Sequence, residues 1–107
     1  MAIEPWSDAV VIARLSDEPH LSDDLAALES AADDRDAVLD FSGVRFVNST
    51  NLAALLRVRK RVLSADRQLV LCNVGTPVWG VFLTTGLDHV FQCSPDVPTA
   101  LARIQVK

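Results

Sequence analysis

The chain has 107 residues, of which 50% are hydrophobic and 22% are charged, and its formal net charge at pH 7 is −4. This size and composition predict a single globular domain over residues 1–107 and exclude a disordered or fibrous chain. The acidic balance disfavours nucleic acid and anionic lipid as partners, and no apolar run approaches the roughly 18 residues that a membrane span needs.

The first half of the chain contains two predicted strands and the helix between them. Residues 9–15 alternate apolar with small or polar side chains, which indicates a strand near a sheet edge. Apolar side chains then recur with the spacing of an amphipathic helix, at Leu21, Leu25, Leu28 and Ala32. Residues 37–41 form a nearly continuous apolar run, which is typical of a strand covered on both faces.

The second half continues the alternation of strands and helices. The predicted elements are a helix from Leu52 to about Ser64, a buried strand over 68–74, a helix capped by Thr76 and Gly86, a short strand starting at Val90, and a final helix opened by residues 94–95. This order predicts an α/β fold, with a small mixed, mostly parallel sheet and helices around it.

Cysteine usage and the first residues of the chain bear on its compartment. Cys72 and Cys93 lie in apolar segments with no CxxC spacing, so we expect two buried, reduced thiols rather than a redox pair or half of a metal site. The first residues show neither the basic nor the apolar region of a signal peptide. We therefore expect a cytoplasmic protein without a metal or cofactor.

A helical projection of residues 50–64 separates an apolar arc from a polar face. At 100° per residue, the side chains expected to face the sheet are Leu52, Leu55, Leu56, Val58, Val62 and Leu63. Thr50, Arg57 and Arg61 fall on the opposite side, with Lys60 at its edge. The projection predicts an exposed Thr50 hydroxyl in the first turn. Arg57, Lys60 and Arg61 form either a solvated face or a partner-binding surface.

The four polar residues 48–51 are consistent with plain helix capping, since any of them can accept a backbone N–H at a helix start. We expect Ser49 to be the N-cap and the Asn51 amide to bond to the backbone of the preceding loop. A phosphate added to Thr50 would gain from the helix dipole and from free backbone N–H groups.

Asp33, Asp34 and Asp40 invite comparison with the acidic phosphate-accepting pocket of response regulators. That pocket follows the first strand, whereas Asp33 and Asp34 precede a predicted strand and end a helix. We expect these two in a solvated turn, and Asp40 bonded to loop N–H groups at the end of its strand.

Residues 40–56 read Asp-Phe-Ser-Gly-Val-Arg-Phe-Val-Asn-Ser-Thr-Asn-Leu-Ala-Ala-Leu-Leu. This stretch resembles the signature of STAS domains, the fold of anti-sigma factor antagonists. The family pattern is a buried strand ending in Asp, a short loop, a hydrophobic pair, and Asp-Ser-Ser-Gly or Asp-Thr-Ser-Gly opening a helix rich in Leu and Ala. Two positions depart from it, because Asn48 stands at the acidic residue and Asn51 at the glycine.

The resemblance implies a non-catalytic regulatory protein that binds a serine/threonine kinase anti-sigma factor. In that register Thr50 stands at the phosphoryl acceptor, and phosphorylation there would switch binding off. Two alternatives stay open: a STAS-like cytoplasmic subunit that braces the ATPase of a lipid-transport ABC system, and an unphosphorylated scaffold that pairs with itself or with related domains. A small enzyme is disfavoured because no nucleophile–base pair is visible in the sequence.

Overall fold

The computed structural model describes residues 1–31 and 34–105, which form a single mixed sheet with helices on both faces. The strands are β1 (Ala2–Pro5), β2 (Val10–Ser16), β3 (Asp36–Gly43), β4 (Leu69–Cys72) and β5 (Gln92–Ser94), in that spatial order. β1 runs antiparallel to β2, and the other neighbours are parallel. This architecture confirms the predicted α/β fold with a mixed, mostly parallel sheet.

The helices cover the sheet unequally. They are α1 (His20–Ser30), α2 (Ser49–Ser64), α3 (Thr76–Thr85) and α4 (Val97–Gln105), with a 3-10 turn at Leu87–His89. α1, α2 and α3 share the larger core, while α4 covers the other face alone. Successive side chains of β3 point to opposite faces, so Leu39 enters the larger core and Val38 the smaller one. Both are fully buried, as the continuous apolar run of this strand predicts.

Several boundaries differ from the sequence prediction. β1 was not predicted, because all four of its residues are exposed and carry no alternation. The last strand starts at Gln92 instead of Val90, since the Val90 N–H closes the 3-10 turn on the Leu87 carbonyl. Thr76 is the first residue of α3 and Gly75 its N-cap, whereas Gly86 caps its other end as predicted.

Two predicted features lie partly outside the described residues. α1 ends at Ser30. Ala32 of its predicted apolar pattern and Asp33 of the predicted solvated turn lie outside the described residues. Asp34 is exposed, as expected of a solvated turn.

The two cysteines differ in their burial. Cys72 is buried, and burial raises the pKa of its thiol to about 12. Cys93 is only half-buried, contrary to expectation, because its side chain lies on the edge strand β5.

The carboxyl ends of β2 and β3 meet closely, and this brings together the two loops of the candidate site. The pairing shifts between Arg14 and Ser16, so that Ser16 lies opposite Gly43. A Cβ at Gly43 would stand 2.7 Å from the Leu15 carbonyl oxygen, so only glycine fits there without displacement. Asp40 accepts the Ser42 N–H at 2.9 Å, which confirms its predicted bond to the loop.

Candidate functional site

The candidate site is the first turn of α2 and the loops around it. Asn48 is the N-cap, with an extended backbone (φ −109°, ψ 177°), and its side chain accepts the Asn51 N–H at 2.8 Å. The Asn51 side-chain oxygen in turn accepts the Asn48 N–H at 3.0 Å, which completes a capping box. The expectation that Ser49 caps the helix was therefore wrong. Ser49 is the first residue of the helix, and its side chain is exposed.

Asn51 ties this helix start to the loop between β2 and α1. It is 2% exposed, and its amide nitrogen donates to Glu18 at 3.3 Å and to the Ser22 hydroxyl at 3.4 Å. The predicted bond from its amide to the loop backbone is confirmed by the contact with the Asn48 N–H. The capping box is thus anchored to a second segment of the chain, which holds the first turn in one position.

Thr50 is exposed in the first turn of α2, as the helical projection predicts. The box engages the N–H groups of Asn48 and Asn51, and the Leu52 N–H bonds to the Asn48 carbonyl. Among the hydrogen bonds of the described residues, none engages the N–H groups of Ser49 or Thr50. Those two N–H groups and the positive end of the helix dipole make the surroundings of Thr50 favourable to negative charge.

The loop that leads into α2 is held by Asp17, which the sequence analysis did not single out. One Asp17 oxygen accepts the backbone N–H of Arg45 at 2.7 Å and that of Phe46 at 3.4 Å. The bond from the Arg45 N–H, against the opposing effect of burial, lowers the pKa of the Asp17 carboxyl. This arrangement leaves the Phe46 side chain 74% exposed beside the helix start.

Glu18 is the second residue that sequence reasoning missed. It accepts the Ser22 N–H at 2.8 Å and the Ser22 hydroxyl at 2.6 Å, and these bonds lower the pKa of its carboxyl. Their position in the sequence could have indicated this role. Asp17 and Glu18 directly follow β2, and the carboxyl ends of neighbouring parallel strands lie at the same edge of the sheet. Both acids therefore stand next to the loop after β3.

These loops enclose a shallow groove of about 360 Å³ beside the capping box. Its polar lining combines Asp17 and Glu18 with Arg45, whose Nε lies 3.3 Å from the Asp17 carboxylate, and its apolar lining is Phe46 and Val47. Its lining consists of Asp17, Glu18, Arg45, Phe46, Val47, Asn48 and Asn51. A groove lined by an exposed aromatic side chain is suited to a protein surface that offers an apolar anchor.

The predicted basic face of α2 is partly engaged by α1. Arg57 Nε donates to Glu29 at 3.0 Å, and Arg61 Nε donates to the Ala31 carbonyl. Lys60 is exposed, as expected. Arg57 and Arg61 therefore brace the pair of helices as well as facing solvent, because α1 lies alongside α2.

The prediction of which α2 side chains are buried was wrong at several positions, because the buried side of the helix is rotated about the helix axis from the predicted one. Leu56 and Leu63 are 37% and 44% exposed, although they were expected to face the sheet. Asn51 and Ala54 are buried instead. The reason is that α2 packs against α1 as well as the sheet, which turns its buried side toward α1.

Among the described residues, no helix is long and apolar enough to cross a bilayer. Within the same part of the chain, no group of three or more His, Cys, Asp or Glu side chains could hold a metal ion.

Comparisons with known proteins identify a family model and several solved structures that this chain resembles. The family model for the STAS domain matches residues 12–100. No curated protein sequence gives a significant match. An anti-sigma-factor antagonist (STAS) domain protein from Planctomyces limnophilus has a TM-score of 0.82 and 19% identity, with 97% of each chain covered.

Two further solved structures share the fold. The phosphorylated form of SpoIIAA, a Bacillus cell fate determinant, has a TM-score of 0.69 and 18% identity, covering 96% of this chain and 97% of its own. A sulfate transporter family protein from Wolinella succinogenes has a TM-score of 0.79 and 16% identity, covering 91% and 85% respectively. At these identities the likeness establishes the architecture.

Proposed function

The chain belongs to the STAS domain family, and we propose that it is a non-catalytic regulatory protein that binds an anti-sigma factor kinase and is switched off by phosphorylation at Thr50. The observation that carries this proposal is the exposed Thr50 side chain in the first turn of α2. That turn is held in one position by the Asn48–Asn51 capping box, so a partner meets it preformed.

The proposed modification fits the chemistry of this helix start. The Thr50 hydroxyl oxygen forms a bond to the γ-phosphorus of the kinase's ATP, ADP leaves, and a base of the kinase takes the hydroxyl proton. The product gains from the helix dipole, by about 0.3–1 kcal/mol for an exposed group. Because Thr50 is exposed, the added group displaces no core residue, and the domain stays folded.

The charges around the groove explain how phosphorylation would weaken binding. Asp17 and Glu18 already hold their negative charges through hydrogen bonds that lower the pKa of each carboxyl. Phosphorylation adds about 1.5 to 2 further negative charges at pH 7. A partner with its own acidic groups near Thr50 would then meet repulsion. Asn48, which replaces an acid of the family pattern, keeps the unmodified site less negative than a carboxylate would.

The experiment is phosphorylation by the host's anti-sigma factor kinase with ATP, followed by mapping of the modified residue by mass spectrometry. We expect one phosphate on Thr50, none on the Thr50→Ala variant, and unchanged labelling of Ser49→Ala. Ser49 is a matched control because its hydroxyl is exposed in the same turn. Label that persists in Thr50→Ala contradicts the proposed acceptor.

Binding is tested separately by calorimetric titration of the unmodified protein with the kinase. We expect Phe46→Ala to weaken binding by roughly tenfold or more, as loss of an aromatic anchor does. Leu63→Ala should leave binding unchanged, since Leu63 is also exposed but lies in the last turn of α2. Equal affinities of the two variants would place the docking surface elsewhere. Co-purification with a transporter ATPase in place of the kinase would favour the ABC-subunit alternative.

A further inference from the structure

We propose that this protein has a second site, at the other end of α2, which binds an apolar chain carrying an anionic head group, such as a medium-chain fatty acid. The site is a cavity of about 250 Å³ between the sheet and the C-terminal halves of α1 and α2. This proposal goes beyond the function argued above and does not depend on it.

The interior of the cavity is apolar and belongs to the main core. Leu39 and Val58, which are 0% and 1% exposed, line it together with Val11. Ala27 of α1 and Ala31, the C-cap residue of that helix, line it as well, and their small side chains leave space that larger residues would fill. Engineered apolar cavities of about 150 Å³ stay dry and bind small apolar molecules. This cavity has a similarly apolar interior and is larger, and it opens to solvent beside the exposed Ile3 and Ala27, so a hydrocarbon chain can enter it.

The polar part of the lining is cationic. Arg61, from the last turn of α2, and Arg35, immediately before β3, both line the cavity. Arg61 Nε donates to the Ala31 carbonyl, which holds its guanidinium at the end of α1. A guanidinium has five N–H donors, and this bond uses one of them.

The charge of the lining identifies the head group. Among the described residues that line the cavity there is no Asp or Glu, although the chain carries a net charge of −4. The Arg61 guanidinium beside an apolar cavity matches a carboxylate or phosphate at the end of an apolar chain, because the guanidinium fork pairs with both oxygens of such groups. A neutral or cationic amphiphile would lack this pairing.

This cavity and the Thr50 turn are separate sites. Arg61 follows Thr50 by eleven residues on one helix, which corresponds to about 16 Å along its axis. The failure of a binding experiment at one site would therefore leave the proposal at the other unaffected.

The test is titration of the whole protein with decanoate, below its micelle concentration, followed by calorimetry and amide NMR. We expect saturable 1:1 binding, with shifts centred on the C-terminal turns of α1 and α2. Decyltrimethylammonium has the same chain and the opposite charge, and we expect no binding of it. Absence of decanoate binding, or equal binding of both amphiphiles, overturns the proposal. Decyl phosphate and anionic phospholipid vesicles then distinguish a free amphiphile from a membrane lipid as the source.

Matched variants locate the site. Arg61→Gln should raise the dissociation constant for decanoate roughly fivefold, the upper range for a solvent-exposed ion pair. Lys60→Gln, next to it on the same helix, should leave that constant unchanged. Ala27→Phe should abolish binding by filling the cavity, whereas Ala26→Phe, which is equally exposed but outside the lining, should not. Wild-type affinity in both Arg61→Gln and a folded Ala27→Phe contradicts the assignment. If Ala27→Phe does not fold, the Arg61→Gln result decides.

Discussion

Asn48 and Asn51 each bind the other's backbone N–H through a side-chain oxygen, at 2.8 and 3.0 Å. These two reciprocal hydrogen bonds fix the start of α2. The side-chain amide nitrogen of Asn51 also donates to Glu18 and to the Ser22 hydroxyl, which connects the helix start to the loop after β2. The two residues that depart from the family pattern are thus the ones that build the first turn. An asparagine at the glycine position is accommodated because its side chain has polar partners on both sides.

The first prediction concerns this capping box. Asn48→Ala should lower the free energy of unfolding by about 1 kcal/mol, because the Asn51 N–H loses its acceptor. Asn51→Ala should cost more, since Asn51 is 2% exposed and also bonds to the loop after β2. Urea denaturation monitored by circular dichroism measures both changes.

Ser49→Ala is the control for the capping prediction. Its side chain is exposed and the N-cap is Asn48, so the change in unfolding free energy should stay within about 0.5 kcal/mol. A cost for Ser49→Ala equal to that of Asn48→Ala would mean that the serine caps the helix after all.

The second prediction compares two glycines. Gly43→Ala places a Cβ 2.7 Å from the Leu15 carbonyl oxygen, and the backbone of β2 or β3 must shift to relieve the overlap. We expect a loss of about 1–3 kcal/mol in the free energy of unfolding, the usual cost of overpacking.

Gly80 provides the matched substitution. It lies within α3, and a Cβ there would have no neighbour within 4 Å. Gly80→Ala should therefore stabilise the protein by about 0.5–1 kcal/mol, because alanine favours the helix and glycine does not. The same urea denaturation decides the comparison, and a stabilising Gly43→Ala would rule out the close approach of β2 and β3.

The third prediction concerns acid stability. The Ser22 hydroxyl and N–H hold the pKa of Glu18 below its ordinary value of 4.5. A carboxyl whose pKa is lower in the folded state stabilises the protein above its unfolded pKa, and this contribution is lost as pH falls through the folded pKa. Unfolding free energy should therefore decrease below pH 4.5, and less steeply in Glu18→Gln.

NMR titration of the Glu18 side chain measures the same effect directly. Ser22→Ala should move the pKa of Glu18 upward, since it removes the hydroxyl that lowers it most. An unchanged Glu18 pKa in Ser22→Ala would show that another group holds the carboxylate charged.

Local patterns were sufficient to predict much of this molecule. The apolar run of β3 predicts burial on both faces, and Gly86 predicts the end of α3, because each signal lies within the element that it describes. The exposure of Thr50 follows from its position in the helix repeat. The hydrogen bonds of the candidate site could not be predicted in the same way. Asn51 and Glu18 are separated by 33 positions, and no periodicity relates them.

The amino-acid order alone thus specifies the succession of strands and helices, the family signature at 40–56 and the outward position of Thr50, since all of these depend on near neighbours. The packing of α1 beside α2 settles the rest. It exposes Leu56 and Leu63 and pairs Arg57 with Glu29. A helical repeat determines which side chains share a face, but the direction of that face depends on the neighbour against which it packs.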